Sequence, residues 1–324
     1  MCHMKDVVKT RFSGVLFYVL LFVSSLIFGQ MPVPYKVTVG ETEVTALLDG
    51  VLPVDAEQLF FTNEPGKPTQ LLENVFIKNP VEVSMNAYLV KTSGKLILVD
   101  TGAGELFGNA GGKLLQSLKQ IAVAPEDITD ILLTHIHADH SGGLVMKGKI
   151  IFPNAVIHVN KAETDFWLNE KNAKKAEEKA MGASPRTFSN AKEMLDPYLK
   201  AGKVKTFERI KQEIVPNIYT LPIVGHTPGH TVYVLESKGE KMYFWGDLVH
   251  MEGLQFVEPA LENHFDVDHK SGIENRKKYY DDAAKSNYLI GASHISYPGI
   301  GRVKKEGSRY VWYPVPFSLT GRTR

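Results

Sequence analysis

Residues 133–144 read LTHIHADHSGGL. Three of the chain's 11 histidines and one aspartate stand between positions 135 and 140, directly behind the apolar run Ile131–Leu133. A buried strand ending in such a loop launches its side chains from a fixed point. His135 and His137, two apart in an extended segment, project to one side and can clasp one ion. Asp139 and His140, just past the turn, can reach a second. Gly142 and Gly143 follow; lacking Cβ, they are expected to let the chain turn without crowding the metals.

Further groups of the same chemistry recur at the ends of expected strands. Asp100 closes KLILVD, His226 opens HTPGH, Asp247 follows MYFWG and His294 follows YLIGAS. Imidazole combined with carboxylate suits zinc, iron or manganese rather than soft copper. Asp247 is placed to bridge two ions. Two ions about 3.5–4 Å apart lower the pKa of a shared water, so that hydroxide is available at neutral pH. Asp100 is read as orienting the histidine loop, and His230 as supporting His226 from behind. His158, His250, His264 and His269 are read as ordinary core or surface residues.

The chain has 324 residues, 44% of them hydrophobic and 23% charged, which is the composition of a globular protein with a real core. The net charge of +1 and the lack of a basic run argue against nucleic acid as a partner. Lys5, Lys9 and Arg11 precede the uncharged stretch Gly14–Gly29, whose 16 residues fall short of a bilayer span. The pattern predicts a secretory signal peptide over residues 1–30, a domain over 31–324, and a periplasmic or secreted product. Removal of the leader would take the net charge from +1 to −1, since Lys5, Lys9, Arg11 and Asp6 leave with it. Cys2, the one cysteine, lies in that leader outside any lipobox position, so the mature chain is expected to hold no disulfide and no thiol ligand.

The periodicity predicts hairpins around Gly40–Glu41, around TSGK at 92–95 and around KGE at 238–240. Leu114, Leu115, Leu118 and Ile121 recur at helical spacing. Helices are also expected at KAETDFWLN and ENRKKYYDDAAKS, and strands at AVIHV, IYTLP and NYLIGAS. Strands followed by helices, with no Pro/Gly/Ser-rich linker between them, give a single α/β domain.

THIHADHSGG (134–143) resembles the signature motif of the metallo-β-lactamase superfamily, and GHTPGHT (225–231), GDLV (246–249) and His294 resemble its later ligand motifs in order. The resemblance implies a four-layer αββα sandwich with metals at one edge. It also implies that His135, His137 and His226 hold one ion, that Asp139, His140 and His294 hold the other, and that Asp247 bridges. Within the superfamily, NAYLV, LVDTGAGELFG, FPNAV, DFWL, YVLESKGEK and SHISYPGIG resemble methyl parathion hydrolases and, more broadly, quorum-quenching lactonases. The segment Met181–Asn190 departs from that pattern. No cysteine is available for the B1 or B2 β-lactamase ligand sets, and Asp247 distinguishes the chain from the B3 type.

The expected activity is a secreted dinuclear hydrolase in which a bridging hydroxide cleaves an organophosphate triester, a lactone or an aryl ester. An acyl-homoserine lactonase is the alternative, followed by a mono-iron dioxygenase or a non-catalytic metal-binding protein of the same fold. Asp139 and Asp247 are the catalytic candidates. The cofactors are two divalent transition-metal ions, zinc first, with manganese, cobalt or iron as alternatives. The resemblance places Phe107, Trp167 and Phe188 as aromatic walls above the metals. The partner expected is a small ester or lactone, with no lasting membrane attachment after cleavage; a homodimer is left open.

Overall fold

The computed structural model describes residues 32–177 and 181–318, so the leader read at 1–30 lies outside the described residues. Among these residues no helix is long and apolar enough to cross a membrane.

Two seven-stranded sheets carry the molecule, and in each the strands of the sheet follow one another in sequence order. The first holds β1 (Tyr35–Val39), β2 (Thr42–Val54), β3 (Val81–Thr92), β4 (Lys95–Val99), β5 (Asp130–Leu132), β6 (Val156–Asn160) and β7 (Val204–Phe207). The second holds β8 (Glu213–Val215), β9 (Ile218–Pro222), β10 (Thr231–Ser237), β11 (Glu240–Gly246), β12 (Leu289–Ala292), β13 (Ile300–Glu306) and β14 (Arg309–Pro314). β4 to β7 run parallel, as do β11 and β12; the other neighbours are antiparallel.

The pleat sends alternate side chains to opposite faces, and both faces here are covered. Val90, Ile97 and Val99 point inward and meet Tyr233, Leu235, Met242 and Phe244 from the other sheet. Their neighbours Leu89 and Leu98 point outward and pack under the helices Leu114–Gln120 and Pro185–Lys200. On the far side Val232, Trp245 and Ile290 meet Tyr279, Tyr280 and Ala283 of the helix His269–Ser286. The result is a single-domain αββα sandwich. Each large apolar side chain shut away in these layers contributes about 1.5–3 kcal/mol of burial.

This layering brings the carboxyl ends of β4, β5, β11 and β12 to one edge, the usual address of ligands in α/β sheets. Asp100 follows β4, the histidine loop follows β5, Asp247 follows β11 and His294 follows β12.

Candidate metal centre

At that edge the structure brings together the seven residues expected to hold metal. His135, His137, His226 and Asp247 form one set and Asp139, His140 and His294 another, the ligand atoms of each set lying within 4.8 Å of one another. Asp247 lies between the sets. Its Oδ2 is 3.1 Å from His226 Nε2, and its Oδ1 is 3.0 Å from His140 Nε2 and 3.2 Å from His294 Nε2. Asp139 Oδ2 stands 3.4 Å from His294 Nε2. All are buried except Asp139, whose side chain keeps 19% exposure at the floor of a cavity.

Each ligand histidine has its outward nitrogen occupied. His226 Nδ1 meets Asp266 Oδ1 at 3.0 Å, His140 Nδ1 meets Asp100 Oδ2 at 2.8 Å, and His294 Nδ1 meets the Ser84 carbonyl at 2.9 Å. His137 Nε2 meets the Gly182 carbonyl at 2.9 Å. Thr134 Oγ1 donates to Asp100 Oδ2, so it is free to accept from His135 Nδ1 at 3.1 Å. Protons fixed on the outer nitrogens leave lone pairs on the inner ones.

The inner nitrogens then face one another. His226 Nε2 is 3.0 Å from His137 Nδ1 and 3.2 Å from His135 Nε2, and such lone pairs repel unless a proton or a cation lies between them. His140 Nε2 and Asp247 Oδ1 are buried with no hydrogen-bond partner. This donor set fits a pair of divalent cations, and the site is a dinuclear metal site. Without cations, burial depresses His135 and, with the neighbouring His226, brings His137 down to about 3. Burial also opposes charge on His226, yet Asp247 and Asp266 raise it to about 9. Asp247 is driven well below the usual carboxylate range, because the surrounding imidazoles outweigh its burial. Cations would replace this internal proton sharing.

The surroundings hold the loops in place. Asp100, at φ 60°, accepts Thr134 N–H at 2.8 Å and so pins the start of the histidine loop, as its sequence position implied. Glu163, fully buried, accepts Ile136 N–H at 2.9 Å and Gly229 N–H at 2.7 Å, joining the His135–His137 loop to the His226 loop. Arg276, itself buried, holds Asp266 at 3.3 Å. His230 does not support His226. Its Nε2 accepts the backbone N–H of Asp247 at 3.0 Å while its Nδ1 reaches the Ile223 carbonyl, so it positions the bridging aspartate instead. The role expected of Gly142 and Gly143 also changes: a Cβ there would lie 2.2 and 2.1 Å from the carbonyl oxygens of Ala103 and Thr101, so they make room for backbone rather than for metal.

A cavity of about 520 Å³ opens above the centre. Leu52, Val54, Leu59, Val83, Met85, Leu106, Phe107 and Phe265 give it apolar lining, and Ser184, Arg186, Thr187 and Asn190 polar lining. Phe107 is part of this lining. Its loop is fixed from below by Asp49, which accepts the N–H groups of Ala103, Gly112 and Leu114 at 2.8, 3.0 and 2.9 Å.

Trp167 and Phe188 do not line this cavity. They are 1% and 4% exposed and pack against each other, with ring centroids 4.9 Å apart, in the core beneath the first sheet. Trp167 sits under the site, its indole N–H held by Glu163 and its ring 5.3 Å from His137. The sequence reading passed over His250. It is buried, lines the cavity and stands 3.2 Å from Asp247 Oδ2. A lone histidine three residues after Asp247 looks the same in sequence as a core residue; in the fold its ring nitrogens are buried without hydrogen-bond partners and it forms a third metal-capable set with Asp247 and His294.

Comparison with known proteins agrees with this geometry. An N-acyl homoserine lactonase from Bacillus sp is 30% identical over 170 residues, which are 47% of this chain and 58% of that protein, so the match spans little more than half of the relative. Among solved structures, the hydrolase AbOPH of the beta-lactamase superfamily is 33% identical, covers 89% of this chain and 99% of its own, and has a TM-score of 0.84. AidC, described as a dizinc quorum-quenching lactonase in complex with a product homoserine, is 30% identical with a TM-score of 0.78, covering 88% of this chain and 98% of its own. The model of the metallo-beta-lactamase superfamily matches residues 81–280, the stretch that holds all but one of the seven metal-facing residues, His294 lying just beyond it. With fold, donor set and family model in agreement, the chain belongs to the metallo-beta-lactamase superfamily.

Proposed function

We propose that the substrates are N-acyl homoserine lactones and that the metals are two zinc ions. The observation that carries this reading is the lining of the cavity: aliphatic side chains that suit an acyl chain and polar ones that suit its amide share one cavity with the metal-facing residues His137, Asp139, Asp247 and His294. The named activities of the lactonase relatives and of AidC support it.

Bound there, the ions supply a nucleophile from water at neutral pH and polarise the ester carbonyl. His135, His137 and His226 would hold one ion, Asp139, His140 and His294 the other, and Asp247 stands where it would serve both. The chain's other residues supply orientation. The leucines and valines exclude water from the acyl chain, Ser184, Thr187 and Asn190 offer hydrogen bonds to the amide, and Asp100, Asp266 and His230 keep the ligands aimed.

Aryl phosphotriesters are the competing class, favoured by Phe107 and Phe265 in the same lining, which would hold an aryl leaving group. A hydrolysis screen of the zinc-loaded protein decides: acyl-homoserine lactones of increasing chain length, aryl phosphotriesters, aryl esters and a cephalosporin. The lactone reading requires kcat/KM to rise with acyl length and to exceed that for the phosphotriesters; the reverse order assigns the protein to phosphotriesters. We also propose export, on the leader pattern; N-terminal sequencing of exported protein should begin close to Gln30.

A further inference from the structure

A second cavity, of about 480 Å³, lies beside the first. It opens between the segment that carries Lys78 and Glu82 and the segment that carries Glu252, with Ser296 at its rim. The two cavities share two lining residues, His250 and His294. Their rings lie nearly parallel, 16° apart with centroids at 5.4 Å. The inner nitrogen of His294 faces Asp139 and Asp247, so the second cavity is separated from the metal-facing carboxylates by the His294 and His250 rings.

His250 is the unusual half of this partition. It is 5% exposed, yet neither ring nitrogen makes a hydrogen bond; the 3.2 Å approach to Asp247 Oδ2 lacks hydrogen-bond alignment. The ring is held by packing against His226, Phe265 and His294, while its two nitrogens stay open to a ligand or water. A buried polar ring without partners is costly unless it meets water or a ligand. Two cavities touch it.

The chemistry of ester cleavage gives the second opening a use. Each turnover consumes one water: its oxygen bonds to the carbonyl carbon, the carbon–oxygen bond of the ester breaks, one proton ends on the leaving oxygen and the other is released as the acid ionises. Any ester seated in the first cavity would close it to that water. The lining of the second cavity includes Lys78, Glu82, Glu252 and Ser296 beside apolar side chains such as Leu72 and Met251. We propose that water and small inorganic anions reach the metal centre through this second cavity, with the His250 ring as the partition between that path and the substrate cavity. This depends on the metal centre and not on which ester is the substrate.

The test uses cobalt(II)-loaded protein and azide, whose association is followed by stopped-flow visible absorption without any substrate. In a Cys2→Ser background, Ser296→Cys and Asn190→Cys are each modified after folding with a bulky maleimide, and Lys78→Cys serves as a further blocker of the second cavity. The modified Ser296→Cys and Lys78→Cys proteins should bind azide severalfold more slowly with KM for the ester unchanged. The modified Asn190→Cys protein should show the opposite: raised KM and an unchanged azide rate. His250→Ala, with two cobalt ions retained, should bind azide faster than the parent. Equal azide rates in all the modified proteins, or slowing by the Asn190 modification alone, would overturn the proposal. Failure of the lactone reading would appear differently, as poor lactone turnover with this azide pattern intact.

Discussion

Glu163 Oε2 accepts the indole N–H of Trp167 at 2.9 Å, and the same oxygen holds the backbone N–H of Ile136. One buried carboxylate thus joins a core aromatic to the loop that carries His135 and His137. Glu163→Gln keeps the volume but turns an amide donor toward N–H groups that need an acceptor. It should weaken metal binding by about 10–100-fold, as loss of an outer hydrogen bond around a ligand typically does. Competition with a chelator measures this, and metal affinity equal to the parent's would show that Glu163 stabilises the fold alone.

Trp167 and Phe107 separate packing from recognition. Trp167→Ala empties a core site and should cost about 3–5 kcal/mol of stability in urea unfolding. Phe107→Ala should leave the unfolding midpoint near the parent's, with both ions bound, and raise KM for acyl lactones roughly tenfold, from a burial loss of about 1.5 kcal/mol. Equal changes of KM in the two variants would contradict the placement of Trp167 beneath the site.

Asp247 reaches both sets of ligands, Oδ2 nearest His226 and Oδ1 nearest His140, so two ions would depend on it jointly. Elemental analysis of the reloaded parent should give close to two ions per chain, and Asp247→Ala should lower occupancy at both positions together. A variant that keeps one ion at full occupancy would break the bridging assignment.

Acid stability has a separate source, remote from the metals. Asp130 is buried, which by itself favours its neutral form, but His158 at 2.9 Å and Lys95 at 2.6 Å hold it below its ordinary value of 3.8. A carboxyl whose folded pKa is depressed stabilises the fold above its unfolded value and loses that contribution as the pH falls below it. Asp130→Asn should therefore be less stable at neutral pH, and its urea midpoint should fall less steeply than the parent's below pH 3.8. Parallel acid limbs would mean that Asp130 carries no pH-dependent stability.

The metal-facing residues were legible because they cluster in the loops that follow short apolar strands, where so many polar side chains have few structural reasons to be. The cavity walls were less so. Ser184, Arg186, Thr187 and Asn190 start a helix inside the one segment that departs from the family pattern, and the polar face they present depends on how that helix docks. Trp167 and Phe188 were misplaced because an aromatic on a helix next to a site can face either the cavity or the core, and spacing alone does not choose. The hairpin formed by β13 and β14 went unread as well: KKEGSRY looks like a charged tail until its other face, with Val303 and Tyr310, is seen packed under Trp245 and Tyr280.

The two sheets divide the chain at the exposed residues 208–212, with every strand of the first sheet before that point and every strand of the second after it. The metal centre is divided in the same place: His135, His137, Asp139 and His140 come from one half, and His226, Asp247 and His294 from the other. Metal is therefore a ligand for the union of the halves as well as for each loop, and its binding free energy adds to their association. Cut between Glu208 and Gln212, the protein should behave as a pair of complementing fragments whose affinity for each other rises with zinc and falls with chelator, a metal-controlled split enzyme already laid out in the order of its strands.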